Sequence, residues 1–304
     1  MAADLSVDIA GIHLKNPVIA ASGTFGYGDE FSRLVDLSRL GGIVVKGTSA
    51  RPIDGNLPSR LFPTPSGMLN SIGLENVGVD AFIRDKMPPL RNVGCVVLVN
   101  VFGFVAEDYL EVVDKLNGCE GITAYELNIS CPNTERGGMV FGTDAVQTNS
   151  LTRAVKARSK KPVIVKLSPN VTDIAEIARA AEDAGADALS VANTYLGMAI
   201  DPETFKPRLH NITGGLSGPA IRPITLRMVY QCFRAVKIPV IGLGGITSAE
   251  DAVEYFLAGA SAVQVGTANF HDPHAPLRVL EGLEKFLNKR GIASVRDLVG
   301  QLKQ

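Results

Sequence analysis

The chain is 304 residues long, 46% hydrophobic and 20% charged, with 31 glycines, no tryptophan and a formal net charge of -1. That is enough apolar material for a large core, and the near-neutral balance gives no electrostatic reason to expect nucleic acid or an anionic membrane as a partner. Four scattered cysteines (Cys95, Cys119, Cys131 and Cys232) read as reduced thiols of a cytoplasmic protein, Met1 to Asp8 lacks a signal-peptide pattern, and no apolar run reaches membrane-spanning length.

In chain order, residues 5–14 read as a small hairpin turning near Ala10-Gly11, placed to close the floor of a barrel. Eight short β-rich runs follow, at 17–21, 42–46, 95–101, 124–130, 162–167, 188–193, 239–243 and 262–266. Most are continuously apolar, as parallel strands covered on both faces require. Helical patterns separate most of them. Over 173–184, Ile174, Ile177, Ala178 and Ala181 share one face, Thr172 offers an N-cap and Gly185 ends the run. Residues 248–257 repeat the scheme, with Ala252, Val253 and Phe256 inward and Gly259 as the stop. The succession helix-Gly-Ala-(Asp/Ser)-Ala-strand thus occurs twice, the trace of a repeated βα unit.

These elements predict an α/β fold, a (β/α)8 TIM barrel, with residues 1–304 forming one domain. A doubly wound sheet would need Gly-x-Gly-x-x-Gly after an early strand, and the chain has none there. Three connections, 48–76, 132–143 and 195–221, are too long for plain βα loops. They follow strands two, four and six, and so fall on the carboxyl face where barrels carry their chemistry.

That face is rich in polar strand ends. Ser22, Lys46, Asn100, Asn128, Lys166 with Ser168, and Asn193 with Thr194 stand at the ends of six of the eight strands. A lone lysine there is often a snorkelling surface residue, but six polar ends are aimed by barrel geometry at one cavity. Within Asn128-Ile129-Ser130-Cys131-Pro132-Asn133, Pro132 cannot continue a ladder, so Cys131 sits where strand gives way to loop. A small buried residue is the bland reading of such a cysteine; a group handling a proton beside a polar ligand is the functional one. Glycine turns end the last two strands, at Gly242-Leu243-Gly244-Gly245-Ile246-Thr247 and Gly266-Thr267, and Gly214-Gly215-Leu216-Ser217-Gly218 closes the long connection after strand six. After strands seven and eight such turns commonly hold a phosphate. Together they describe a phosphorylated cofactor lying across the barrel mouth. His271-Asp272-Pro273-His274 reads as a helix entry rather than a metal pair, Cys95, Cys119 and Cys232 as packing residues, and Arg136-Gly137-Gly138 as the centre of a lid.

These residues match a family. The chain resembles the class 1 dihydroorotate dehydrogenases, FMN-dependent barrels, essentially from end to end. The resemblance is carried by residues 16–26, Val45-Lys46-Gly47-Thr48, Asn70-Ser71-Ile72-Gly73-Leu74-Glu75-Asn76, residues 128–133, Val165-Lys166-Leu167-Ser168-Pro169, Ala192-Asn193-Thr194 and the glycine clusters. The Asn-Ser-Ile-Gly-Leu segment and the Ala-Ser-Gly-Thr-Phe-Gly start are most similar to subclass B, the NAD-linked catalytic subunit.

The resemblance implies oxidation of dihydroorotate to orotate in pyrimidine biosynthesis. Cys131 would take a proton from one ring carbon while a hydride leaves its neighbour for the flavin. Substrate would be held by Lys46, Asn70, Ser71, Ile72, Gly73, Leu74, Asn128, Asn133, Asn193 and Thr194, with Lys46 facing its carboxylate. FMN would contact Ser22, Lys46, Gly47, Asn100, Asn128, Lys166 and Ala192, with its phosphate on Gly218, Gly244, Gly245, Gly266 and Thr267. Lys166 would stabilise the charge of reduced flavin. Ala192 departs from the larger aliphatic residue expected there, which matters little for a backbone contact. Subclass B further implies a partner subunit carrying FAD and a 2Fe-2S cluster, two of each chain forming a heterotetramer, with electrons passing to NAD. Rival readings are a fumarate-reducing subclass A homodimer with the same half-reaction, a non-redox phosphate-binding lyase using Lys166 or Lys46 as a Schiff base, and a catalytically silent scaffold.

Overall fold

The computed structural model describes residues 3–130 and 141–303. Eight parallel strands, β1 (Val18–Ala20), β2 (Gly42–Thr48), β3 (Val96–Val101), β4 (Ala124–Asn128), β5 (Val163–Lys166), β6 (Ala188–Val191), β7 (Val240–Leu243) and β8 (Ala262–Val265), close into a barrel in sequential order. Their runs of Val, Ile, Leu and Ala are buried almost throughout. Each fully buried aliphatic side chain of this kind contributes about 1.5–3 kcal/mol, so the barrel wall and its helices are the main store of stability.

From β3 onward a helix of nine or more residues follows each strand: Ala106–Leu116, Ala145–Arg158, Ile174–Asp183, Arg222–Ala235, Ala249–Leu257 and Ala275–Arg290. Ile174, Ile177, Ala178 and Ala181 form the buried face of the third of these, as the 3.6-residue period requires. Its N-cap is Asp173 rather than the expected Thr172, because the Asp173 carboxylate accepts from Ala175 N at 2.9 Å. Gly185 and Gly259 end two helices at φ of 92° and 112°, where a side chain would be strained. The helix entry expected at Asp272-Pro273 falls slightly later, at Ala275, with Pro276 in the first turn and Asp272 paired with Arg278 across it. Cys232 lies in the core, with Cys95 and Cys119 packed against it, and burial pushes the Cys95 and Cys232 thiols up to about 12.

The N-terminal hairpin pairs Val7–Ile9 with Ile12–Leu14 and turns at Ala10 and Gly11, both at positive φ. Its alternate residues Val7, Ile9, Ile12 and Leu14 are buried, and Leu14 approaches the start of β2 at Gly42, so the hairpin covers the amino-terminal floor.

At the other end, two of the three long connections are not irregular. Leu61–Thr64, Gly67–Asn70, Thr213–Ser217 and Tyr195–Met198 pair into a four-stranded antiparallel sheet that joins the excursions after β2 and β6. Gly67 is needed there because a Cβ would land on the Ser217 carbonyl. Most of the third connection, including Arg136-Gly137-Gly138, lies outside the described residues.

Candidate active site

Inside the barrel, near its carboxyl end, the strands bring polar side chains together around one carboxylate. Glu126 of β4 is fully buried. Its Oε1 accepts from Asn100 Nδ2 of β3 at 2.8 Å, with Lys166 Nζ of β5 and Ser22 Oγ beyond β1 both at 3.4 Å. Its Oε2 accepts from Gln264 Nε2 of β8 at 2.7 Å and Ser190 Oγ of β6 at 2.9 Å. Register accounts for the convergence: Asn100 is paired with Glu126 and Ser190 with Lys166 on neighbouring strands. Burial is the largest influence on Glu126 and pushes its pKa up, but the Lys166 charge and the donors Gln264, Asn100 and Ser190 outweigh it and hold the carboxyl below its ordinary range. Lys166 Nζ also donates to Ser22 Oγ at 3.1 Å, so one of its three N–H groups has no acceptor among the described residues.

Above this layer, β4 ends at Asn128, two residues earlier than expected, where the Asn128 side chain bonds the backbone two residues on: its Oδ1 accepts from Ser130 N at 3.3 Å. The same oxygen accepts from Asn193 Nδ2 at 3.1 Å, while Asn193 Oδ1 accepts from Thr194 N at 2.8 Å. Tyr109 anchors this strand end by donating to the Asn128 carbonyl at 2.8 Å. Asn70, at the end of Gly67–Asn70, donates to the Gly215 carbonyl at 3.1 Å, and Gly215 packs directly on Thr194 Oγ1. The Asn128 Nδ2 donors and the Asn70 Oδ1 acceptor are left without partners among the described residues, an arrangement suited to a planar ligand with both donors and acceptors.

Lys46 is half-buried in β2 and makes no hydrogen bond through its ammonium to any described residue. Its charge helps hold Glu75 below the usual carboxylate range, after the larger effect of the Arg60 hydrogen bond. Ser71, Ile72, Gly73 and Leu74 lie between Asn70 and Glu75, tied back by Asn56, which bonds the Ser71 hydroxyl and the Ile72 carbonyl at 3.0 Å. Gly73 and Leu74 take φ of 77° and 58°, an uncommon value for leucine that marks a sharp, fixed turn.

At the opposite edge, Gly218, Gly244, Gly245, Gly266 and Thr267 meet. A Cβ on Gly245 would stand 2.8 Å from the Gly218 carbonyl, one on Gly244 would stand 2.8 Å from Thr225 Oγ1, and Thr267 Oγ1 bonds Ser217 Oγ at 2.8 Å. All three of Gly218, Gly244 and Gly245 have positive φ. Gly266 differs, since a Cβ there would meet only Ala21 and Thr24 at ordinary contact distances. The protein's own packing does not demand glycine there, which suits the close approach of something else. The loop is braced by Asp251, whose carboxylate accepts from Thr247 N, Thr247 Oγ1 and Ser248 N. Gly47 lies against the Asn100 amide and Phe102, and Ala192 is buried, its N–H bonded to the Leu243 carbonyl.

Of the predicted residues, Ser22, Asn100 and Lys166 meet around Glu126, Asn70, Asn128, Asn193 and Thr194 meet above them, and Gly218, Gly245 and Thr267 meet at the glycine turns, while no hydrogen bond joins the Lys46 ammonium to any of them among the described residues. Cys131 and Asn133 lie outside the described residues. Glu126, Ser190 and Gln264 were not anticipated, although three polar residues inside otherwise apolar strands were a readable signal.

Comparison with known proteins follows the same lines. The family model for dihydroorotate dehydrogenase matches residues 4–287. A provisionally named dihydroorotate dehydrogenase A (fumarate) of Solibacter usitatus is 57% identical over the full length of both chains. Proteins named dihydroorotate dehydrogenase B (NAD(+)), catalytic subunit, are 56% identical in Geotalea uraniireducens, over 98% of each chain, and 53% identical in Bacteroides thetaiotaomicron, over 99% of each.

Proposed function

The chain belongs to the dihydroorotate dehydrogenase family, and we propose that it is the FMN-binding catalytic chain of a subclass B enzyme, acting in the cytoplasm as one domain spanning 1–304. The observation that best supports this reading is the set of strand-end amides, Asn70 held on the Gly215 carbonyl and Asn193 bonded to Asn128, whose Asn128 Nδ2 donors and Asn70 Oδ1 acceptor have no partner among the described residues: donors and acceptors for a pyrimidine edge, with the half-buried Lys46 as the cation for a carboxylate.

The residues fit FMN. A Cβ at Gly266 would meet only Ala21 and Thr24 at ordinary contact distances, which suits the approach of a phosphate, and Lys166 in the layer below the mouth keeps one N–H without an acceptor among the described residues. Bound flavin supplies a two-electron acceptor for the hydride. Lys46 orients the substrate carboxylate, and Asn70, Asn128, Asn133, Asn193 and Thr194 fix the ring. Ser71, Ile72, Gly73 and Leu74 wall it in through the turn that Asn56 secures. Cys131 removes the ring proton; a thiol whose pKa falls toward neutrality near cations suits a general base at working pH. Lys166 meets the negative charge that develops on reduction, while Ser22, Gly47, Asn100 and Ala192 line the ring and ribityl chain.

On this reading a partner subunit bearing FAD and a 2Fe-2S cluster would take the electrons onward, in a heterotetramer of two catalytic and two electron-transfer chains. The Solibacter usitatus protein's name supports a second reading, a fumarate-linked homodimer. The lyase reading has no support from a redox family. Anaerobic mixing of the FMN-loaded chain with dihydroorotate tests the proposal: the flavin absorbance should bleach. Release of FAD on acid treatment, or flavin that stays oxidised, would overturn it.

A further inference from the structure

Barrel interiors are ordinarily filled with branched aliphatic residues, and a buried ion pair seldom stabilises more than apolar packing would. Yet Glu126 is fully buried with five donor contacts, two to Oε2 and three to Oε1. The Asn100 and Gln264 amide nitrogens can only donate, so the network is built for an ionised carboxylate. Lys166 is the one charged or titratable group that an interaction joins to Glu126 among the described residues; Ser22, Asn100, Ser190 and Gln264 are neutral.

We propose that Glu126 is a positioning residue that fixes the Lys166 ammonium and partly cancels its charge, and so sets the reduction potential of the bound flavin. This rests on the FMN reading above. An unpaired ammonium would favour reduced over oxidised flavin strongly. The Glu126 counter-charge at 3.4 Å leaves Lys166 presenting a muted field, and the shared contacts to Ser22 and Asn100 tie both cofactor-facing groups to the same anchor.

The test uses the full-length chain loaded with FMN and reads the flavin midpoint potential spectroscopically, with oxidised-FMN affinity measured by fluorescence. Glu126→Gln keeps the volume and removes the charge. It should raise the preference for reduced over oxidised FMN roughly tenfold, about 30 mV for a two-electron couple. Lys166→Met should shift it the other way, and Glu126→Asp should stay near wild type. Gln264→Leu carries the test independently where the glutamine variant does not fold. It removes one donor from Oε2, makes Glu126 easier to protonate, and should make the potential rise as pH falls, beyond the wild-type slope. Wild-type potentials in Glu126→Gln, or a wild-type pH profile in Gln264→Leu, would overturn the inference while leaving the FMN reading intact. Failure of the wild-type chain to bind FMN would instead sink that reading.

Discussion

Lys46 is half-buried in β2, and its ammonium bonds no described residue. A cation held without a hydrogen-bond partner is kept for a ligand when burial makes it costly to leave unpaired. Lys46→Met should raise the KM for dihydroorotate roughly 10- to 150-fold, the equivalent of a charge-assisted bond of about 1.5–3 kcal/mol, with a smaller change in kcat. Dye-coupled kinetics would show this, and an unchanged KM would place the carboxylate elsewhere. Cys131→Ala should bind FMN normally but slow flavin reduction by about 10²–10⁴-fold. Cys131→Ser should fall between and recover at high pH, because a hydroxyl gives up its proton less readily than a thiol. Stopped-flow reduction across pH distinguishes the two variants, and near wild-type reduction by the alanine variant would assign the base to another residue. Such residues were readable because each falls in a recognisable local segment, Val45-Lys46-Gly47-Thr48 and Asn128 to Asn133, although Lys46 lies within Gly42–Thr48 rather than at its end and Cys131 falls outside the described residues. Glu126 was not, since its partners Asn100, Lys166, Ser190 and Gln264 come from four other strands and only register joins them.

The same division between local and distant information holds for the elements. The helix Ile174–Asp183 and the barrel strands carry their periods within a few residues, so their existence and inward faces could be read directly. The sheet over the mouth could not, because Gly67–Asn70 pairs with Thr213–Ser217, residues far away in sequence and rich in glycine. Those glycines do more than bend the chain. Gly215 lies flat on Thr194 Oγ1, and a Cβ there would also stand 3.4 Å from Asn70 Nδ2. Gly215→Ala should therefore displace at once Thr194 and Asn70, the two groups proposed to face substrate. Overpacking of this kind costs about 1–3 kcal/mol. The variant should melt lower and show a raised KM for dihydroorotate, while FMN affinity should change little, since the proposed phosphate site is at Gly218, Gly244, Gly245 and Gly266. Equal losses of FMN and substrate binding would mean that the sheet supports the whole mouth rather than its substrate side.

At the scale of the molecule, the barrel closes with each strand hydrogen-bonded to its sequence neighbours, so the site is assembled from the ends of strands already fixed by local βα units. The four cysteines lack the spacing of cluster ligands, and no Gly-x-Gly-x-x-Gly follows an early strand to bind a nicotinamide dinucleotide. On the proposed reading, the reduced flavin is reoxidised on every turnover by way of a partner subunit. The purified chain should accordingly pass electrons from dihydroorotate to artificial dyes but not to NAD. Co-expression with an iron-sulfur flavoprotein subunit should confer NAD reduction and yield a complex that co-elutes on gel filtration. Fast turnover with fumarate by the chain alone would favour the subclass A reading instead, and rapid NAD reduction by the chain alone would remove the need for a partner.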